Sequence, residues 1–476
     1  MTNSIVLRWK DPKPWLYCVS LVLFSVVLRV LYAHSVLAQF SELSAADQAS
    51  YEMGYLVQDS PSYLEPAVYL VKGQIPQAVS LIRPIGYPAF LALLGLDFTY
   101  ILYVQALVLS IIPVCTFFLV RVSTGYNRLG FGAGMVSAIS PTGIAVGSMV
   151  ASDALFAALF AVLFTTLVYG TLRNSLRWIL ISAIASGLAI LVRPILLFWP
   201  VVSVMVSALI AGSRDGLRNG LRPWLQICKG RLAQLLVLFF IPTVFMVSWA
   251  EANYAKNGLF TVSIMGDLTL REYLAVEAEE WGKAGHWPTL AAITQNRNIL
   301  RERLNAMTLQ EQARTFWPES IAIFEKYPSQ TAISFVKNAV GNAVGGWIGF
   351  SVQLPFSQPK LGGVFSVISG LESGLRWIGL LMILVAPVIG LIAVRLNPSP
   401  YEGRIASILI AMTLTFVCYL ALLGLTFWTG PRIIYAVEIL QISTAAMLVA
   451  VLARAIGRLG GWHRVDVKAE KTAEPS

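Results

Sequence analysis

Three stretches of this chain carry no Asp, Glu, Lys or Arg at all: Phe98–Val120, Leu129–Ser152 and Ile405–Pro431. A helix needs about 20 such residues to cross about 30 Å of hydrocarbon, and each stretch suffices. A buried helix of a soluble core would be shorter and charged on one side. The whole chain follows the same pattern. It is 57% hydrophobic and 13% charged, with a mean hydropathy of +0.69, so it cannot present a water-wetted surface all round. The pattern predicts an all-α polytopic membrane protein of roughly ten transmembrane helices. They are placed at about 15–37, 98–120, 129–150, 153–172, 176–192, 194–213, 232–252, 377–394, 405–427 and 433–453.

The formal charge of +10 does not indicate nucleic acid, because the basic residues sit between the spans, where the positive-inside rule puts them. With the N-terminus cytoplasmic, the inner loops hold Arg121, Arg128, Arg173, Arg177, Arg214, Arg218, Arg222, Lys229, Arg231, Arg395 and Arg404. The tail adds Arg454, Arg458, Arg464, Lys468 and Lys471, whereas the short outer connections hold little beyond Arg193 and Arg432. Both ends are therefore expected inside a cell (inner) membrane. No cleavage-site pattern follows the first apolar run, which reads as a retained helix.

This orientation divides the chain into an N-terminal transmembrane module (1–252) containing a first outer loop (39–97). An outer, periplasmic loop or cap (253–370), C-terminal transmembrane helices (371–456) and a cytoplasmic tail (457–476) follow. Within the cap, Leu290–Phe316 has helical spacing, with Leu290, Ile293, Leu300, Leu304 and Met307 near one face. Trp281, Trp287, Trp317 and Trp347 fit either a membrane interface or the core of a compact cap. Val336–Phe350 is too short and glycine-rich for a span, and the last dozen residues have the composition of a disordered tail. Cys18, Cys115, Cys228 and Cys418 show neither disulfide nor zinc spacing, and His34, His286 and His463 are scattered.

Chemistry in such a chain is sought among ionisable residues at span ends, where burial is expensive. The outer side offers Asp59, Lys72, Arg83, Asp153, Arg193, Arg271, Arg432 and Glu438. Acids and arginines at one membrane face suit a reaction with a phosphate leaving group. Guanidinium grips phosphate oxygens in a fork, and a carboxylate takes a proton from an attacking hydroxyl. Each residue also has a plainer reading: a helix cap for Asp59 and Asp153, snorkelling for the arginines, solvation for Lys72 and Arg271. Glu438 is either paired or site-facing. Arg29, inside the first span, is expected to neutralise an acid elsewhere in the bundle, and Asp47 is a fallback for the base.

Asp59 is followed by Tyr63 four residues on and Ala67 eight on, then by Arg83-Pro84-Ile85-Gly86-Tyr87-Pro88-Ala89-Phe90-Leu91. Ala151-Ser152-Asp153-Ala154-Leu155-Phe156, Leu191-Val192-Arg193-Pro194, Asn253-Tyr254 with Gly258-Leu259-Phe260, and Gly430-Pro431-Arg432 come later in the same order. Together these resemble the membrane glycosyltransferases of the C-type fold (GT-C). That superfamily includes bacterial relatives of the dolichyl-phosphate-mannose protein mannosyltransferases and of the lipid A aminoarabinose transferase. The resemblance implies a polyprenyl-phosphate sugar donor, a lipid, glycan or protein acceptor, and an extracytoplasmic active site. It assigns Asp59 to the acceptor and Asp153 to the second acid, with Arg83, Arg193 and Arg432 on the phosphate. Tyr63, Lys72, Arg271 and Glu438 form a wider candidate set. The family often has a second acid directly after the first, whereas Ser60 stands here, so a role for a divalent cation stays open. A polytopic transporter or lipid-linked sugar flippase is the alternative. It requires charges strung through the bundle and inverted repeats, and the long one-sided loop argues against those repeats.

Overall fold

A computed structural model describes residues 13–41, 56–57, 59–212, 229–344, 362–396, 399–425 and 431–459. Asp47, Cys228, Trp347 and the tail beyond 459 lie outside the described residues. All regular structure within them is helical. The first half contains α1 (Pro14–Ser41), α2 (Ser60–Val71), α3 (Gly86–Leu93), α4 (Phe98–Leu109), α5 (Ile111–Thr124), α6 (Asn127–Ala138), α7 (Pro141–Val146), α8 (Asp153–Arg173), α9 (Leu176–Val192) and α10 (Trp199–Gly212). The second contains α11 (Leu232–Asn257), α12 (Val276–Ala284), α13 (Leu290–Asn305), α14 (Leu309–Lys326), α15 (Pro328–Val344), α16 (Gly362–Leu396), α17 (Pro400–Leu423) and α18 (Pro431–Leu459).

Among the described residues, seven segments are long and apolar enough to cross a membrane: Pro14–Ala38, Phe98–Thr124, Asp153–Arg173, Leu232–Asn257, Ser373–Leu396, Tyr401–Leu423 and Ile434–Ile456. The protein is thus an all-α polytopic membrane protein. The apolar window of α8 is 72% buried, against 22% for α1 and α11, so α8 is the axis of the bundle and the latter two face lipid. Phe156, Phe160 and Phe164 on α8 are all fully buried in the main core.

The expected span 129–150 departs most from its prediction. It is two helices, α6 and α7, separated at Ile139–Ser140. Proline at 141 disfavours helix at the residue before it, and the Ser140 hydroxyl caps the new helix by accepting from the Gly143 amide (3.2 Å). Hydropathy records greasiness and is blind to that break. The segments expected at 176–192 and 194–213 are apolar helices of 17 and 14 residues, shorter than the seven segments long enough to cross.

The segment after α11 is drawn back onto the bundle. Asn253 donates to the Thr261 carbonyl (2.7 Å) and Trp249 to that of Val262 (3.1 Å). The Lys256 ammonium donates to the carbonyls of Gln77 (3.0 Å) and Val79 (2.6 Å), and the Ile264 amide to that of Leu81 (2.8 Å). Beyond it α12–α14 enclose a small core of Val276, Ile293, Leu300, Leu304 and Phe316. The helical stretch expected over Leu290–Phe316 is interrupted at Ala306–Thr308, where Thr308 and Glu311 form a reciprocal capping box. Leu290, expected on one face with Ile293, Leu300 and Leu304, is 63% exposed, whereas those three are buried. Trp281 and Trp287 pack on each other (4.5 Å between centroids) and Trp317 is exposed, so none of the three belongs to the cap's core.

Candidate functional site

The site begins with a problem of backbone hydrogen bonding. Between α7 and α8, residues Gly147–Ser152 have no regular helix and are buried. Buried carbonyls and amides need partners wherever they lie, and within a membrane only protein supplies them. Fully buried Gln105, on α4, donates to the carbonyls of Gly147 (3.3 Å) and Met149 (2.8 Å) and accepts from the Tyr87 hydroxyl (2.8 Å). The Ser60 hydroxyl donates to the Val150 carbonyl (2.8 Å), and the hydroxyls of Tyr63 and Ser152 are bonded (2.8 Å). Helix α3 closes on α9 without a side chain between them: a Cβ at Gly86 would stand 2.7 Å from the Leu191 backbone. These contacts bring the two segments that carry the acids together.

Asp59 stands at the start of α2 but makes no capping bond to it. Its carboxylate instead bridges two guanidinium groups, Oδ1 accepting from Arg83 Nη2 (2.8 Å) and Oδ2 from Arg432 Nη2 (2.5 Å). Arg83 is itself fixed: Nε donates to the Ser62 hydroxyl (2.9 Å) and the group lies over the Tyr63 ring, 4.5 Å from its centroid. Ser263, donating to the Ile82 carbonyl (2.7 Å), holds the backbone beside it. Asp153 opens α8 and pairs with Arg193, which ends α9 in the extended conformation that a following proline favours. Arg193 also lies 5.8 Å from the centroid of Phe156.

The two pairs form one cluster. Burial pushes the Asp59 carboxyl up, but Arg432, Arg83 and also Arg193 outweigh it and hold the group down at about 2. Among the described residues three guanidinium groups face two carboxylates. Side-chain exposure separates the acids: 31% for Asp59, 4% for Asp153. Next to Arg193 is an apolar cavity of about 400 Å³, lined by Phe160, Leu196, Trp199, Phe335 and Tyr419 among others. Tyr419 is within electrostatic reach of Arg193.

The five residues expected to act together, Asp59, Arg83, Asp153, Arg193 and Arg432, converge, and Tyr63 joins them beneath Arg83. Lys72 does not: it ends α2 as an exposed residue. Arg271 is also elsewhere, held in the cap by Glu319 (3.1 Å) and Glu279 (3.7 Å). Glu438 lies further along α18 from Arg432, within electrostatic reach of Tyr435. Arg29 departs from expectation. Fully buried, it bonds to Ser25, to the Ala138 carbonyl (3.2 Å) and to the Tyr435 hydroxyl (3.5 Å), with no carboxylate among these partners. Hydroxyl and carbonyl oxygens take up its two terminal nitrogens, while Nε has no hydrogen-bond partner among the described residues.

Gln105 and Tyr419 were not among the residues singled out from sequence. A lone amide within the charge-free run Phe98–Val120 was the available signal for Gln105; for Tyr419, one aromatic among many in a span, there was none. Among the described residues no three His, Cys, Asp or Glu side chains converge as a metal site, and Cys18, Cys115 and Cys418 are free thiols.

No known family profile matches the chain, and no curated protein matches it. Among solved structures, it is similar to the archaeal oligosaccharyltransferase AglB from Archaeoglobus fulgidus, in complex with an inhibitory peptide and a dolichol-phosphate. The identity is 13% and the TM-score 0.43, over 94% of this chain and 52% of that one. The chain therefore spans about half the length of that structure, and a likeness this distant assigns no residue roles.

Proposed function

We propose that the chain is a membrane glycosyltransferase of the C-type fold, moving a sugar from a polyprenyl-phosphate carrier to a hydroxyl of a lipid, glycan or protein at the outer face of the membrane. One observation carries the reading. Two carboxylates and three guanidinium groups meet where helices of the bundle end, beside an apolar cavity. Transfer of a glycosyl group from a phosphate carrier generates negative charge on the departing oxygen. Fixed cations positioned where that charge appears stabilise the transition state. In the reaction the acceptor oxygen attacks the anomeric carbon, and the bond from that carbon to the phosphate oxygen breaks with its electron pair on phosphate. The acceptor proton passes to Asp59. The cavity suits the first isoprene units of the carrier, because its lining is mostly aromatic and aliphatic and includes Ile195, two residues after Arg193.

A transporter or flippase would place its charges along the bundle. The deeper polar group, Arg29 with Tyr435, is instead bonded internally, to a hydroxyl and to backbone, which favours the enzyme. The test is mass spectrometry of cell-envelope glycans and lipids with and without the protein, complemented by wild type or by Asp59→Ala. One sugar should be missing without the protein and should return with the wild type alone. Full restoration by Asp59→Ala would remove Asp59 from the mechanism.

A further inference from the structure

Arg83 and Arg432 are both engaged, yet the proposed reaction needs cations on the phosphate. Resting on that reading, we propose that the Asp59 carboxylate is an exchangeable placeholder for the donor phosphate. Arg83 and Arg432 transfer from Asp59 to the phosphate when the donor binds, while Arg193 stays with Asp153.

The geometry distinguishes the two acids. Asp59 is the more exposed of them, makes no capping bond to α2, and offers one oxygen to each arginine. A second anion can take over both bonds without disturbing the helix. Arg83 keeps its place when the carboxylate is displaced, because Ser62 and the Tyr63 ring hold it from other sides. Asp153 has no such freedom: it is almost fully buried and its partner follows from the fixed Arg193–Pro194 turn.

The exchange also orders the chemistry. Bridged by two guanidinium groups, Asp59 is a poor base, its carboxyl held far below the usual range. A phosphodiester donor carries one negative charge, the same as the carboxylate it displaces. As the sugar departs, the phosphate becomes a monoester with about −1.5 to −2 charges and draws the arginines more strongly. Asp59 thereby gains basicity as the acceptor hydroxyl begins to lose its proton. The base is inactive without donor and becomes competent as the leaving group forms.

Binding of farnesyl monophosphate to the purified full-length protein in detergent tests the exchange. Asp59→Asn removes the competing charge and should bind the probe about tenfold or more tightly than wild type, since two charge-assisted bonds no longer need to be broken. Asp153→Asn should not tighten binding, and Arg432→Ala should weaken it. Thermal unfolding verifies that each variant is folded, and Asp59→Ser repeats the comparison if the asparagine form does not purify. Equal or weaker binding by folded Asp59→Asn would overturn the exchange while leaving the donor assignment intact. Absence of binding in every form would sink the polyprenyl-phosphate reading and the exchange with it.

Discussion

Among the described residues the same arrangement occurs twice: one carboxylate bonded by two arginines. At the end of the bundle Asp59 takes Arg83 and Arg432, and in the cap Glu319 takes Arg271 (3.1 Å) and Arg303 (2.6 Å). The two acids are almost equally exposed, 31% and 30%. Burial pushes both carboxyls up, and the paired arginines outweigh it and bring both down. The differences lie around them. Arg303 is 46% exposed, and Arg271 is shared with Glu279, which Lys283 also reaches (2.9 Å), so the cap network is a wider and more open one, sensitive to salt. Around Asp59 all three arginines are largely covered, and an apolar cavity adjoins. A bridged carboxylate is thus an ordinary structural device, and its surroundings turn it into a site.

Neutralising the two acids is the strongest way to break this comparison. Asp59→Ala should lower transfer by about a thousandfold, the scale of losing a general base, while Glu319→Gln leaves it within a factor of about two. Comparable losses in both variants would mean that Asp59 acts only through folding. Arg432→Ala comes next, with a loss of about a hundredfold expected from removing a cation at the leaving group. Its counterpart Arg303→Ala should cost only about 0–1 kcal/mol of stability and no activity. Measured turnover of the two variants, side by side, checks this.

Gln105→Leu sharpens the contrast from a distance. It strips the carbonyls of Gly147 and Met149 and the Tyr87 hydroxyl of a partner. Stability should fall by about 1–3 kcal/mol, and Asp153 should lose its placement. A transfer rate lowered by about tenfold, with Gln105→Glu recovering part of it, is the expected result. Unchanged turnover in a folded variant would confine Gln105 to packing.

The smallest effect is on acid stability. The Asp59 carboxyl sits at about 2, below its ordinary 3.8, so the native state binds this proton less readily than the unfolded chain. The stabilisation is complete above about pH 4 and disappears as the pH falls through about 2. Thermal unfolding of the wild type should weaken more steeply over that interval than that of Asp59→Asn. Parallel curves would count against the bridged geometry.

Much of this could be read before any coordinates, and the failures share a cause. Charge-free length identified the spans Phe98–Thr124 and Tyr401–Leu423, and position at outer span ends, together with the family resemblance, marked Asp59, Arg83, Asp153, Arg193 and Arg432 as one candidate set. Those signals are local. The break at Ser140–Pro141 was hidden because apolar content continued across it. Arg271 looked equivalent to Arg83 on charge alone; only the folded cap shows that glutamates hold it. Arg29 implied an acid because a buried cation usually has one, yet hydroxyl and carbonyl oxygens served. Partners drawn from distant helices leave no trace in sequence spacing.

The two short helices flanking Arg193 have a consequence for the lipid around them. With 17 and 14 residues, α9 and α10 rise only about 25 and 21 Å, less than the roughly 30 Å hydrocarbon layer beside them. Where such a pair crosses, a bilayer accommodates the deficit by thinning locally, which would bring the headgroup plane toward the turn at Arg193–Pro194. The long-chain carrier proposed above, sliding in sideways, would then meet the guanidinium groups at its own depth, with its tail still in the oil.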